Sequence, residues 1–192
     1  MEQGNWLRAM ISACPLTLSL SGTQKSGAVM WGGFGIFLIK KGAKTMLKGI
    51  PEILSPELFK VLCEMGHSDR LVIADGNFPV ESMGKNAITI RCDGHGVPEI
   101  LEAILKVFPL DTYVEHPVNL MEVMPGDNVE TPIWDTYKEI IRKYDDRGDA
   151  VVGNIERFSF YDEAKTAYCI ISTSEKALYA NIMLQKGVVI ND

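Results

Sequence analysis

From Ser55 onward the apolar positions of this chain switch repeatedly between helical and extended spacing. Leu58, Val61, Leu62 and Met65 follow the i, i+3, i+4, i+7 rhythm of one buried helix face. Ser55 is placed to cap that helix, Pro56 suits its first position, where a missing N–H costs nothing, and Glu57 sits near the positive end of the dipole. Gly66 is expected to take the left-handed conformation that ends it. Leu71 to Ala74 is an apolar run with β-branched members, long enough for a buried strand and too short for a helix. It stops at Asp75, and in open α/β sheets ligands collect beyond the carboxyl ends of strands. His67 falls in the turn before the run, outside helix geometry.

The same alternation continues downstream. Asn77 to Gly84 reads as a loop, Ala87 to Cys92 as a strand, and Pro98 to Phe108 as a helix with Leu101, Ile104, Leu105 and Phe108 on one face. Val118 to Met124 predicts a third strand, ended by the turn Pro125-Gly126-Asp127-Asn128. Pro132 opens another amphipathic helix through Trp134, Tyr137, Ile140, Ile141 and Tyr144. Asp145 to Asp149 reads as a solvated loop. Ile155 to Tyr161 is mixed, and the alternation of Arg157 with Phe158 puts the arginine on one face of an extended segment. One or two helical turns are expected within Tyr161 to Ala167, then strands at Tyr168 to Ser172 and Ala180 to Leu184. The pattern predicts an α/β fold, a single domain with a central sheet covered by helices.

Composition limits the function classes. The chain has 192 residues, 46% of them hydrophobic, enough for one domain with a substantial core. Its net charge of -6 is spread among interspersed acids and bases, so no basic stripe exists for phosphates and nucleic acid is not an expected partner. Cys14, Cys63, Cys92 and Cys169 are widely spaced with no C-x-x-C pair, which favours reduced thiols and a cytoplasmic location. Residues 1–45 differ in composition and are expected to be an N-terminal extension outside the fold, with 46–192 as the folded domain and Met46 as its functional beginning. The apolar stretch Ala28 to Ile39 would span only about 20 Å as a helix, against about 30 Å of bilayer core, and its positive charge lies on the wrong side for a secretory signal. No membrane partner is expected.

Several segments, in this order, resemble one family. They are Lys48-Gly49-Ile50-Pro51, Leu54-Ser55-Pro56-Glu57-Leu58, Glu64-Met65-Gly66-His67, Ala74-Asp75 with Asn77-Phe78-Pro79, and Arg91-Cys92-Asp93-Gly94. Further on come Pro109 to Glu115, Glu156-Arg157-Phe158 with Phe160-Tyr161, and Tyr179-Ala180-Asn181 with Lys186-Gly187-Val188. Together they resemble the L-fucose mutarotase and ribose pyranase family of sugar-anomer isomerases, the fucose branch more closely, from Met46 to Ile190. Departures are Cys92 where alanine is common, Ala180 where glycine is common and Ser68 where glycine often follows the histidine. The resemblance implies a proton-donating His67 and sugar contacts from Asp75, Arg157, Tyr179 and Asn181, with Asp111 and Tyr161 at positions that animal relatives use. It also implies a monosaccharide substrate, L-fucose, no cofactor, and a ring-shaped homo-oligomer, often decameric, with sites near subunit boundaries.

Mutarotation opens the sugar ring to the free aldehyde, turns about the C1 bond and closes on the other face. It needs a base for the anomeric hydroxyl and an acid for the ring oxygen, and histidine, with an ordinary pKa near 6.5, can fill either role. On this reading His67 protonates the ring oxygen, while Asp75, or a water it holds, orients or accepts from the anomeric hydroxyl or binds a remote one. Each residue also has a plain structural use. A histidine after a helix serves as cap or surface residue, Asp75 before Gly76 stabilises a turn, Arg157 pairs with Glu156 or Asp162, and Asn181 satisfies backbone. His95 in Asp-Gly-His-Gly is the rival acid. Cys63 and His67, four apart, would form a metal or thiol pair only on a continuous helix, which Gly66 argues against. The non-enzyme alternative is a ring that binds the monosaccharide without accelerating exchange.

Overall fold

The structure, a computed structural model, describes residues 47–190. The expected extension at 1–45, its apolar stretch and the proposed start at Met46 lie outside the described residues.

Among the described residues six strands form one sheet. They are β1 (Arg70–Ala74), β2 (Ile88–Cys92), β3 (Val118–Met121), β4 (Val152–Ile155), β5 (Cys169–Thr173) and β6 (Ile182–Gln185), in the order β2-β5-β1-β6-β3-β4. β1 pairs with β5, β5 with β2, and β3 with β4 in parallel, while β6 runs antiparallel between β1 and β3. All strands but β6 therefore point the same way, and β6 begins at the edge where the others end.

Among the described residues five α-helices accompany the sheet: α1 (Pro56–Glu64), α2 (Val80–Met83), α3 (Val97–Leu105), α4 (Pro132–Ile141) and α5 (Arg157–Ala164). Side chains of α1, α3 and α4 share a core with Leu71, Ile73, Leu120, Ile171 and Leu184 on one face. Val80 of α2 and Phe160 and Ala164 of α5 cover Val72, Ala74, Ile170 and Met183 on the other. Successive residues of β1 thus go to opposite cores, which explains its unbroken apolar run: a strand buried on both faces has no polar side to show. Ser55 caps α1 as expected, its Oγ accepting from the Leu58 N–H at 3.1 Å.

Four local expectations are corrected. The left-handed residue after α1 is Ser68, at φ 68°, and not Gly66. The helix already stops at Glu64, with Met65 extended. Lys186 accounts for this ending, because its Nζ donates to the carbonyls of Leu62, at 2.8 Å, and Met65. The segment Asn77 to Gly84 contains the short helix α2 as well as loop. β3 ends at Met121 instead of Met124. Arg157 is not on an extended segment; it opens α5, where the Glu156 carboxylate accepts from the N–H groups of Phe158 and Ser159 at 2.9 and 3.0 Å and starts the helix.

Candidate functional site

The carboxyl edge of the parallel strands carries a cavity of about 390 Å³, within the usual range for small-molecule sites. Asp75, Arg157, Tyr161, Tyr179 and Asn181 all line it, together with Asp127. Asp75 follows β1 and Asn181 precedes β6, so the antiparallel neighbour brings them together across the strand ends. Asn181 Nδ2 donates to Asp75 Oδ2 at 2.8 Å, and the Asp75 N–H donates to Asn181 Oδ1 at 2.9 Å. The other carboxylate oxygen accepts from the Asn77 N–H at 2.9 Å. The turn-forming use of Asp75 and the backbone-satisfying use of Asn181 are therefore both real, and they hold a carboxyl and an amide rigid at the cavity wall. Burial pushes the Asp75 carboxyl above its usual pKa, against the lowering effect of Asn77 and Asn181.

Arg157 and Tyr161 sit one helical turn apart on α5 and meet the cavity from the second face. The guanidinium carbon lies 5.8 Å from the Tyr161 ring centroid, and Nη1 approaches Met124 Sδ at 3.4 Å. Tyr179 has φ 54°, unusual for an aromatic residue. Two donors from α4 pin the backbone there: Trp134 Nε1–H to the Tyr179 carbonyl and the Tyr137 hydroxyl to the Ala180 carbonyl, each at 2.8 Å. The Tyr179 hydroxyl donates to Asp127 and receives the Met124 N–H at 3.4 Å.

His67 is elsewhere. It precedes β1 whereas Asp75 follows it, so the five residues of the strand, about 16 Å at about 3.3 Å each, stand between them. Within one chain the fold therefore places His67 and Asp75 at opposite edges of the sheet. At the amino edge, His67 Nε2 instead meets Asp111, 3.2 Å from Oδ1 and 3.1 Å from Oδ2. Asp111 is fully buried, and its oxygens also accept from the Tyr113 N–H at 2.9 Å and Gln185 Nε2 at 3.0 Å. Burial alone would raise its pKa, but these donors and His67 outweigh it and hold the carboxyl below its usual value. Arg147, gripped by Asp145, donates to the Asp111 carbonyl at 3.0 Å.

An ionised carboxylate only accepts, so the Nε2 facing Asp111 carries a hydrogen. Nδ1 is then the nitrogen turned away from Asp111 on a half-exposed ring, with Tyr113 tilted beside it at 5.3 Å between centroids. Asp111 is thus a backing carboxylate for the imidazole and does not reach the cavity. His95 pairs with Glu99, Nδ1 to Oε1 at 3.2 Å, and is not among the residues lining the cavity. Cys63 lies on α1 and His67 beyond its end, so the two do not share a helix face. Among the described residues no group of three or more His, Cys, Asp or Glu is arranged to hold a metal ion, and no helix is long and apolar enough to cross a membrane.

Sequence reasoning missed Asp127, Trp134, Tyr137, Arg147 and Gln185. Asp127 was hidden inside a turn motif that explained it fully, Trp134 and Tyr137 inside a helix stripe, and Arg147 in a loop read as solvated. Gln185, at the end of a strand, gave no signal.

A mostly parallel α/β sheet with a polar cavity at its carboxyl edge defines a small-molecule site protein. The RbsD / FucU transport protein family model matches residues 48–189, and the chain belongs to that family. The chain is 48% identical over 149 residues to the fucose mutarotase of Homo sapiens, a match covering 74% of this chain and 94% of that one. The crystal structure of FucU from Bifidobacterium longum is 65% identical with a TM-score of 0.73, covering 74% of this chain and all of the other. A fucose mutarotase from Streptococcus pneumoniae, solved in complex with L-fucose, is 44% identical with a TM-score of 0.70, covering 75% of this chain and all of that one.

Proposed function

We propose that this protein is a cofactor-free mutarotase that interconverts the α and β anomers of L-fucose, and that each site is completed by two copies of the chain. The observation that carries this is a division between two edges of one sheet. The carboxyl edge has a cavity walled by groups that bond hydroxyls, Asp75, Asn181, Arg157, Tyr161 and Tyr179. The amino edge has a half-exposed imidazole backed by a buried carboxylate. Each edge lacks what the other offers, and a neighbouring copy in a ring-shaped homo-oligomer brings them face to face. Exposed apolar side chains at the amino edge, Tyr113 beside His67 and Val189 and Ile190 beyond β6, suit burial in such a contact. The fucose mutarotase relatives support the substrate.

In this assembly the cavity of one copy fixes the sugar through its hydroxyls, and a guanidinium suits donation to several of them at once. His67 of the other copy donates a proton from Nδ1 to the ring oxygen as the C1–O bond opens. Rotation about C1 and reclosure return the proton to the imidazole. Positioned acid–base catalysis of this kind supplies about 10²- to 10⁴-fold.

Saturation transfer between the anomeric proton signals of L-fucose tests this reading. The protein should speed exchange, and His67→Ala should abolish the acceleration while the fold is retained. Saturable binding with no faster exchange would leave the monosaccharide-binding ring as the correct description. The same measurement on ribose shows whether the chain also has the ribose pyranase activity of the family's other branch.

A further inference from the structure

The proposed reaction, on which this inference rests, has an acid in His67 but needs an acceptor for the proton of the anomeric hydroxyl. Asp75 is poorly suited, because burial favours its neutral form and one bond to each oxygen already fixes it to Asn77 and Asn181. A different carboxylate lines the same cavity. Asp127 stands on the turn after β3, where Gly126, at φ 95°, takes the left-handed conformation the turn requires. Asp127 Oδ2 accepts the hydroxyl of Tyr179, and Asp127 is exposed.

With its hydrogen directed at Asp127, the Tyr179 oxygen can offer a lone pair to a bound hydroxyl. Holding Tyr179 in place does not require Asp127, because Trp134 and Tyr137 already fix the backbone of residues 179 and 180 from α4. The positive φ of Tyr179 is maintained by those two bonds, and it sets the ring where its hydroxyl reaches the turn at Met124 and Asp127. The Asp127 contact also raises the pKa of the Tyr179 phenol, so the proton stays on the pair until a substrate supplies another.

We propose that Asp127 is a positioning residue that acts through Tyr179, taking up the tyrosine proton as Tyr179 removes the proton of the anomeric hydroxyl. The steps balance without any oxidant or reductant. The anomeric O–H proton passes to Tyr179 Oη while the Tyr179 hydroxyl proton passes to Asp127, leaving a carbonyl at C1. The bond between C1 and the ring oxygen breaks with its electron pair on that oxygen, which takes the proton from His67 of the neighbouring copy. Closure on the opposite face runs each transfer backwards and restores all three groups.

The test is anomer exchange of L-fucose by the full-length chain, measured over a range of sugar concentrations. Asp127→Asn keeps an acceptor for the Tyr179 hydroxyl but cannot take its proton, so kcat should fall about 10²-fold with KM within about twofold of wild type. Tyr179→Phe should show a comparable loss in kcat, and the double variant should be no slower than the worse single one, because both interrupt one path. Wild-type kcat in Asp127→Asn, or losses that multiply in the double variant, would overturn the assignment. Absence of exchange by the wild-type chain would instead remove the mutarotase reading itself, which separates the two failures.

Discussion

His67 and Asp111, 44 positions apart in the chain, are joined by an imidazole nitrogen 3.1 Å from a carboxylate oxygen that no water reaches. The carboxylate selects the tautomer that carries its hydrogen on Nε2 and leaves Nδ1 facing away from Asp111. Asp111→Asn keeps the size of the side chain but can present an NH₂ to Nε2 and so favour the opposite tautomer. We expect kcat for anomer exchange to fall about 10- to 10²-fold with KM nearly unchanged. An unaltered kcat would show that the pair serves the fold alone.

The same pair makes a prediction about stability and pH. Asp111 is held below its usual value of 3.8, so its charged form is favoured by folding. That contribution is complete above the unfolded-state pKa and is lost as pH falls through the lower folded-state value. Asp111→Asn should therefore be less stable than wild type by the widest margin at about pH 7, and the margin should narrow at about pH 3. Urea unfolding at the two pH values measures it, and a gap that stays constant would mean the carboxylate gains nothing from its charge.

Ser68 stands where the turn between α1 and β1 needs a left-handed residue, at φ 68°. A non-glycine residue there costs about 1–2 kcal/mol, while glycine's extra freedom in the unfolded chain costs about 0.5–1 kcal/mol, so relief outweighs loss. Ser68→Gly should stabilise the protein by about 0.5–1 kcal/mol, a rise of about 2 °C in Tm. A lower Tm would mean that the serine makes a compensating interaction.

The turn at Ser68 shows where sequence reasoning stopped. Gly66 looked like the helix terminator because glycine tolerates positive φ, but Lys186, 121 positions from Met65, ends α1 by binding its carbonyls. Such a contact leaves no local mark. Five of the six strands and the three long helices were legible because their apolar spacing is a local consequence of burial on one or both faces, whereas β4, at Val152–Ile155, was not read from the sequence. The five cavity residues were legible as one group only through the family resemblance, since Arg157 gave a misleading extended pattern and opens a helix instead. Strand order was beyond reach. The sequence neighbours β5 and β6 flank β1 on opposite sides, and it is the second of them that brings Asn181 to Asp75.

Tyr137 illustrates a different dependence, in which the core holds the site. Its ring is fully buried, its phenol is pushed to higher pKa by that burial, and its hydroxyl donates to the Ala180 carbonyl next to strained Tyr179. Tyr137→Phe leaves that buried carbonyl without its partner, at a cost of about 1–3 kcal/mol. Loss of the tether should also let residue 179 relax from its positive φ and raise KM for the sugar. Chemical denaturation and exchange kinetics on one preparation test both parts. Full stability with an unchanged KM would show that Trp134 alone holds this wall.

A site shared by two copies can be tested with two inactive proteins. His67→Ala keeps an intact cavity and lacks the proposed acid, whereas Asp75→Ala keeps His67 and has a damaged cavity. If one chain supplied both groups, every chain in a mixture would remain defective and mixing would restore nothing. If the groups come from neighbours, an assembly formed by unfolding and refolding the two together pairs a good cavity with a good histidine at random. About a quarter of the sites then become competent, as heterologous contacts between copies require. Recovery of about a quarter of wild-type exchange after co-refolding, with none from either variant refolded alone, is the expected result. No recovery from a mixture shown to contain both variants in one assembly would return the reaction to a single chain, and the separation of His67 from Asp75 along β1 would then argue against His67 as the acid.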